Sequence, residues 1–526
     1  MLKIVKTKNG YVEGAALEGK NQGVVEFRRI PYAKPPVGEL RWKPPVPADS
    51  WEGVLDCTQY PDIPMQLRMG FATDALPMSE DCLYLIVTTA AETGDEKLPV
   101  YMWFHGGALE NGSAYSVGAP KADMAKKGCI VVSVAQRLNV FGYMALPQLS
   151  AEQGGKSGNY GLMDELLALN WVRENISAFG GDPEKITIGG QSGGTDKCSA
   201  LAACPKAKGM IRGVITESGL KWAQKYKTLE EKEKSCREYL RDIGIDPDMP
   251  LEELRRIDAS VLMQPKKGKG SHGEMVCDGD LITGLSTKEI FEGALEGVSF
   301  LCGTNFGEAK PIPAGLSKEE AKAAGGVQVS TAAEFYEYYR KLLGGLYEKY
   351  HFEKLVPVTD ENAEYTLRRL ASLGLNPPVG NNSSRSLMIP RVFGAYLKKR
   401  CPESRVYAYL FDTAPLTRPG KRSFAGPSDG VYSWHSCELM YAYNVLDSKT
   451  DTFLFDDKDY ELAEKMSSYW SNFVKYGDPN GEGLVSWPDA AETGGYLMLG
   501  DEIRPFDGFS ELDKLIFEFV VQYFPI

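Results

Sequence analysis

The stretch ITIGGQSGGTDK, residues 186–197, passes from a β-branched apolar run into four glycines that surround one serine. Its core, Gly190-Gln191-Ser192-Gly193-Gly194, fits G-x-S-x-G, a sharp turn between a strand and a helix that exposes a nucleophilic serine. Such a turn forces strained backbone angles and a close approach of strand to helix, which larger side chains would block. The residues that follow, GTDKCSALAAC, suit a helix. The same pattern recurs at Gly426-Pro427-Ser428-Asp429-Gly430. There TRPGKRSFAG precedes and GVYSWHS follows, and neither flank reads as strand or helix. Context therefore selects Ser192 over Ser428.

On either side, LPVYMWFHGG (98–107), CIVVSVAQRL (129–138), KITIGG (185–190), GVITESG (213–219), VSFLCGTN (298–305) and SRVYAYLFD (404–412) read as strands. GLMDELLALNWVRENI (161–176) has apolar residues at helical spacing and reads as an amphipathic helix. Strands that alternate with helices imply parallel βαβ units, so the fold class is α/β with a central, mostly parallel sheet flanked by helices. Charged helical stretches at about 220–297 and 312–400 read as insertions that roof a pocket. No repeat or long linker interrupts the chain, so residues 1–526 are expected to form a single catalytic domain.

Bulk properties narrow the function classes. The chain has 526 residues, 43% hydrophobic and 25% charged, an ordinary soluble composition. A net charge of -12 argues against nucleic acid or an anionic membrane as the main partner. No apolar run approaches the roughly 18–20 residues of a membrane span. The N-terminal MLKIVKTKNGYVEG lacks the apolar core of a secretion signal, so a cytoplasmic location is expected. Ten cysteines show neither CxxC nor a Cys/His cluster, which reads as buried thiols rather than structural zinc. Gly268-Lys269-Gly270-Ser271-His272-Gly273 fits GxGxxG, but no strand precedes it. Gly14 to Lys20 approaches P-loop spacing, yet Asn21 stands where Ser or Thr is needed. Sequons at Asn111, Asn175, Asn381 and Asn382 carry little meaning without secretion.

A serine hydroxyl needs a base. The chain has four histidines: His105, His272, His351 and His435. For a serine on this kind of turn the chain order is Ser, acid, His, which removes His105. His351 lies in a charged helical stretch (KYHFEKL) and His272 in a Lys/Gly-rich loop. His435, in GVYSWHSCELMY beyond the last clear strand, leads by order. Many carboxylates lie between Ser192 and His435. Glu308 is the best placed, just past the strand of VSFLCGTNFGE, at the edge where active sites of parallel sheets form. The residues alone leave it open against a solvated loop glutamate. Oxyanion donors are expected from the amide of Gly193 and from the glycine loop of PVYMWFHGGALENGS.

These residues resemble the type-B carboxylesterases, the group that includes the cholinesterases, within the α/β-hydrolase fold. The resemblance runs through FRRIPYAKPPVGELRWKPPVP, SEDCLYLIV, HGGALENGS, QRLNVFGY, GNYGLMDELLALNWVRENISAFGGDPEKITIGGQSGG, CGTNFGE, WHSCELMY and YWSNFVKYGDPN. It implies Ser192 as nucleophile, Glu308 as acid, His435 as base, and Gly107, Ala108 and Gly193 as oxyanion-hole donors. It also implies a small-molecule ester substrate and chemistry that requires no metal or cofactor. Departures sharpen the reading. Gln191 replaces the glutamate often found before the serine. No clear counterpart of the choline-binding tryptophan occurs in RMGFATDALPMSEDC, which argues against cationic choline esters. Leu109 replaces the usual aromatic after the oxyanion loop. Cys82 matches one half of the family's first disulfide, but Pro64 stands at the other position and Cys57 only nearby. Two other readings remain: a non-catalytic, neuroligin-like interaction protein, and an amidase or lipase on the same site.

Overall fold

The structure is a computed structural model that describes residues 1–68, 75–116, 118–221, 225–264, 273–285, 291, 295–312, 326–377, 384–423 and 428–524. Met69–Asp74, Gly268–His272, Asn381, Asn382, Gly426 and Pro427 lie outside the described residues, as do parts of both expected insertions. The chain forms two compact units.

The first unit comprises Met1–Ile215, Gln224–Leu295 and Val474–Tyr476. It holds strands β1 (Ala15–Ala16), β2 (Val25–Pro31), β3 (Tyr84–Thr89), β4 (Leu98–Phe104), β5 (Ile130–Val134) and β6 (Gly181–Gln191), hydrogen-bonded in the order β1-β2-β3-β5-β4-β6. The β4–β5 and β4–β6 pairs are parallel, whereas β1–β2, β2–β3 and β3–β5 are antiparallel. All five residues of β5 are buried, which is why it reads as a continuous apolar run rather than an alternating one. β1–β3 were not singled out as strands from sequence, although β3 (YLIVTT) is buried along its whole length.

Helix α1 (Tyr160–Asn175) falls where the periodicity places it. Its polar face departs from expectation: Asp164 and Glu165 are both buried rather than solvated. Arg137 explains Asp164. Its Nε and Nη2 donate to the two carboxylate oxygens at 2.9 and 2.6 Å, and its backbone N–H adds a third bond at 3.0 Å. Helix α2 (Gly193–Ala203) is buried along its length except at Asp196. In the 220–297 stretch, α3 (Leu229–Asp242) begins with a reciprocal cap between Thr228 and Glu231, which satisfies amides that a helix start leaves open. Its Cys236, Tyr239 and Leu240 pack with Trp42, Phe141 and Leu149. This segment is thus part of the first unit's core.

The second unit comprises Thr216–Ala223, Glu296–Phe473 and Gly477–Ile526. Strand β7 (Gly213–Glu217) is divided, with Thr216 and Glu217 in this unit. The second unit also holds β8 (Ser299–Asn305), β9 (Val406–Asp412), β10 (Tyr496–Gly500) and β11 (Arg504–Phe506). The β8–β9 and β9–β10 pairs are parallel and β10–β11 is antiparallel. The 312–400 stretch is helical where described, with α4 (Ala332–Leu343), α5 (Ala363–Leu373) and α6 (Met388–Arg400). Among the described residues, no helix is long and apolar enough to cross a membrane. The Gly14–Lys20 stretch ends in a 3-10 turn (Gly19–Asn21) followed by β2, not in the helix a P-loop needs. All ten cysteines are thiols, eight of them buried, and Cys57 and Cys82 form no bridge.

Candidate active site

The candidate residues fall into two sets, one in each unit. In the first, β6 ends at Gln191 and Ser192 adopts φ 56° and ψ −116°, a left-handed conformation costly for a side-chain-bearing residue. Helix α2 starts at the next residue. Ser192 O accepts from Thr195 N at 2.9 Å and Thr195 Oγ1 at 2.6 Å, which stitches the turn to the helix. The glycines are sterically required. A Cβ on Gly190 would lie 2.7 Å from Phe104 O, and one on Gly193 would collide with Ala108 N. That second collision shows how closely the helix start meets the loop after β4.

This loop, His105–Asn111, turns through three consecutive left-handed residues: Gly107 (φ 102°), Ala108 (φ 53°) and Leu109 (φ 65°). Gly107 O accepts from Glu110 N and Asn111 N at 2.9 and 3.1 Å. Among the described residues, the N–H groups of Gly107, Ala108 and Gly193 donate to no protein acceptor. Unspent backbone donors beside a close-packed serine turn are suited to a developing oxyanion. Three side chains hold the loop's entry. Buried His105 places Nδ1 2.7 Å from Gly106 O, the Gln136 amide lies 3.1 Å from His105 Nε2, and Lys197 Nζ donates to His105 O at 3.0 Å. Burial, then the Lys197 charge, hold His105 well below its usual range, so it stays neutral. Lys197 lies within α2 and is fully buried. The sequence reading missed it, because a lysine in a helix normally reads as solvated.

In the second unit, Glu308 sits three residues past the end of β8. His435 Nδ1 lies 2.9 Å from Glu308 Oε2, although 127 residues separate them. Glu308 is fully buried, and burial alone would raise its pKa. The His435 imidazole, Arg385 and Ser218 outweigh that and hold it below the usual carboxylate range. Its Oε1 accepts from Asn305 N at 3.2 Å and from Ser218 Oγ at 2.5 Å. Ser218 follows β7 with φ 60°, a second strained serine. Its Oγ also lies 2.9 Å from Glu438 Oε1. One hydroxyl has one proton to give. Burial, then the charges of Glu308 and Glu217, push Glu438 well above its usual range, so it is protonated. Hence Glu438 donates to Ser218, and Ser218 donates to Glu308. Asn305 Nδ2 donates to Glu438 Oε2 and to Trp434 O, the latter at 2.7 Å. Behind them Glu217, raised by burial to about 8, accepts from Tyr443 OH at 2.7 Å and Trp470 Nε1 at 2.9 Å.

Arg385 completes this set, with Nη2 3.3 Å from His435 Nε2 and Nε 3.7 Å from Glu308 Oε2. Ser218, Glu438 and Arg385 were not singled out from sequence. The available signals were modest: a serine just past a strand and a glutamate three residues after the histidine. The other candidates take no part. His351 is exposed at a helix start, and His272 lies outside the described residues. Ser428 lies in an irregular segment, its N–H donating to Thr417 Oγ1, without a helix directly after it. Gln191 is buried, and so is Leu109. Asn175 is buried too, its side chain bonded to Lys8 N and Trp171 O, so its sequon is inaccessible.

Comparison with known proteins agrees along nearly the whole chain. The profile of the carboxylesterase family matches residues 2–509. Para-nitrobenzyl esterase of Bacillus subtilis (strain 168) is 32% identical over 522 residues, covering 95% of each chain. Fumonisin B1 esterase of Sphingopyxis macrogoltabida is 29% identical over 509 residues, covering 95% of this chain and 87% of its own. Among solved structures, a PNB esterase matches with a TM-score of 0.73 at 29% identity, over 98% of this chain and 100% of that one.

Proposed function

The chain belongs to the carboxylesterase family, has the α/β-hydrolase fold and is a carboxylic ester hydrolase, and from that premise we propose that Ser192, Glu308 and His435 are its catalytic triad. Ser192 Oγ attacks the ester carbonyl as His435 Nε2 takes its proton. Glu308 holds Nδ1 and stabilises the imidazolium. The amides of Gly107, Ala108 and Gly193 receive the oxyanion, each donor worth ~3 kcal/mol of transition-state stabilisation. His435 then protonates the departing alcohol, and water repeats the steps on the acyl-enzyme.

The observation that carries this reading is the 2.9 Å contact between His435 Nδ1 and a fully buried Glu308, which leaves Nε2 as the basic nitrogen. The strained Ser192 turn and its unspent neighbouring amides supply the other parts. The substrate is a small-molecule ester, and residues 1–526 act as one catalytic domain, with 220–297 and 312–400 as its helical insertions. Separate thiols at Cys57 and Cys82 fit a reducing, cytoplasmic setting. Ser192→Ala is expected to abolish both turnover of p-nitrophenyl butyrate and labelling by a fluorophosphonate probe. Wild-type-like turnover in that variant would sink the assignment.

A further inference from the structure

We propose that Lys197 is a positioning residue for the oxyanion hole: its buried ammonium straps helix α2, whose first residue carries the Gly193 amide, to the loop that carries the Gly107 and Ala108 amides. The inference deepens the ester-hydrolase reading and rests on those three amides being the oxyanion donors.

Three observations lead there. First, the strap joins the two donor sets near their roots. Lys197 lies one turn along α2 from Gly193, and its Nζ donates at 3.0 Å to the carbonyl of His105, two residues before Gly107. Secondly, α2 and the loop pack backbone against backbone. A Cβ on Gly193 would collide with Ala108 N, and one on Gly194 with Phe104 O. Such packing brings the donors close but does not aim them, whereas a hydrogen bond is directional. Aim matters here, because a misplacement of about 1 Å can cost about 100-fold in rate. Thirdly, the charge is spent on the loop. Lys197 and Glu165 are both fully buried, yet neither Glu165 oxygen takes a hydrogen bond. The ammonium gives its bond to the loop carbonyl instead. The Gln136 amide, turned so that its nitrogen donates to Val134 O at 3.0 Å, presents its oxygen to the same ammonium. Apolar isosteres in place of a buried charged pair are often neutral or stabilising. Stability of the fold therefore does not account for a lysine at this position, and aiming the donors does.

The test compares two inhibitors of one shape, trifluoromethyl butyl ketone and the alcohol made by reducing it. Ser192 Oγ adds to the ketone carbonyl, its proton passing to His435, and leaves an oxyanion in the hole. The alcohol fills the same pocket and undergoes no addition. The inhibition constant of the alcohol over that of the ketone is read within each enzyme, so the ratio does not depend on how much of a variant is folded. In Lys197→Met/Glu165→Gln the ratio is expected to fall about 100-fold from its wild-type value. The kcat for p-nitrophenyl butyrate should fall in step while KM stays within about 3-fold, as for a group that acts only in the transition state. Lys197→Gln/Glu165→Gln, whose side chain is one bond short of the carbonyl, is read in the same way should the first variant not fold. Lys197→Arg keeps a charged donor and should retain part of the ratio. A ratio within about 3-fold of wild type in the neutral variant, or a fall in kcat without a fall in the ratio, overturns the proposal and leaves Lys197 as a residue of the fold alone. A wild-type ratio of about 1, or one that survives Ser192→Ala, would instead overturn the reading of Ser192 and its oxyanion hole on which the proposal rests.

Discussion

The Glu165–Lys197 pair allows a pH-dependence to be worked out in sign and size. Both side chains are fully buried, and neither oxygen of Glu165 has a hydrogen-bond partner. Burial lifts Glu165 from 4.5 to about 8 and pulls Lys197 from 10.5 to about 8, each partly opposed by the other's charge. For Glu165 the folded pKa is the higher one, so its stabilising contribution is full below 4.5 and is lost as pH rises to 8. For Lys197 the folded pKa is the lower one, the reverse of a lysine that gains a partner. The folded state then binds fewer protons between pH 8 and 10.5, and stability returns across that window. The two limbs meet in a minimum near pH 8. Each tenfold change in proton affinity is worth ~1.4 kcal/mol, so the limbs are on the order of 3 to 5 kcal/mol. The perturbation is the double substitution Glu165→Gln/Lys197→Met, and the assay is urea unfolding from pH 5 to 9.5. The variant is expected to have a flatter profile and to gain most on the wild type at pH 8. A variant profile parallel to that of the wild type would show that this pair does not set the pH-dependence.

Two further outcomes follow from buried carboxyls. Asp164→Asn strands the buried Arg137 guanidinium, and removing one member of such a pair costs about 3 to 5 kcal/mol, which the urea midpoint would report. Glu438→Gln can still donate to Ser218 Oγ and accept from Asn305, so its kcat should stay within about 3-fold of wild type. Glu438→Ala leaves both groups short of a partner and should lower kcat by about 10-fold, as a loss of ~1.4 kcal/mol does. Equal losses in the two variants would show that Glu438 is not a donor.

The legible features were those written in contiguous residues. β4, β5, β8 and β9 are largely apolar runs of five to seven residues, β6 ends in one (Ile186–Gly190), and each was readable as a strand. The glycines around Ser192 announced a tight turn because a Cβ there has nowhere to go. Chain order and the resemblance named Glu308 and His435, which the fold places 2.9 Å apart. What stayed hidden depends on partners distant in the chain. Ser218 has meaning only between Glu308 and Glu438, 90 and 220 residues away. Lys197, Glu165 and Asp164 looked like a solvated helix face because burial of a charge is set by tertiary packing, not by local spacing. Arg385 lay in a stretch with no register, 50 residues before the histidine it meets.

The origin of each part in the second unit has a consequence for how such a chain can diversify. Ser218 and Glu308 sit just past the ends of β7 and β8, whereas Arg385 comes from the long excursion between β8 and β9. Lengthening an excursion is thermodynamically inexpensive, since doubling a loop costs only about 0.6 kcal/mol of closure entropy. Mutation can therefore lengthen or rewrite that excursion while Ser218 and Glu308 keep their positions. The strand ends and the excursion lie on separate stretches of chain, free to change at different rates.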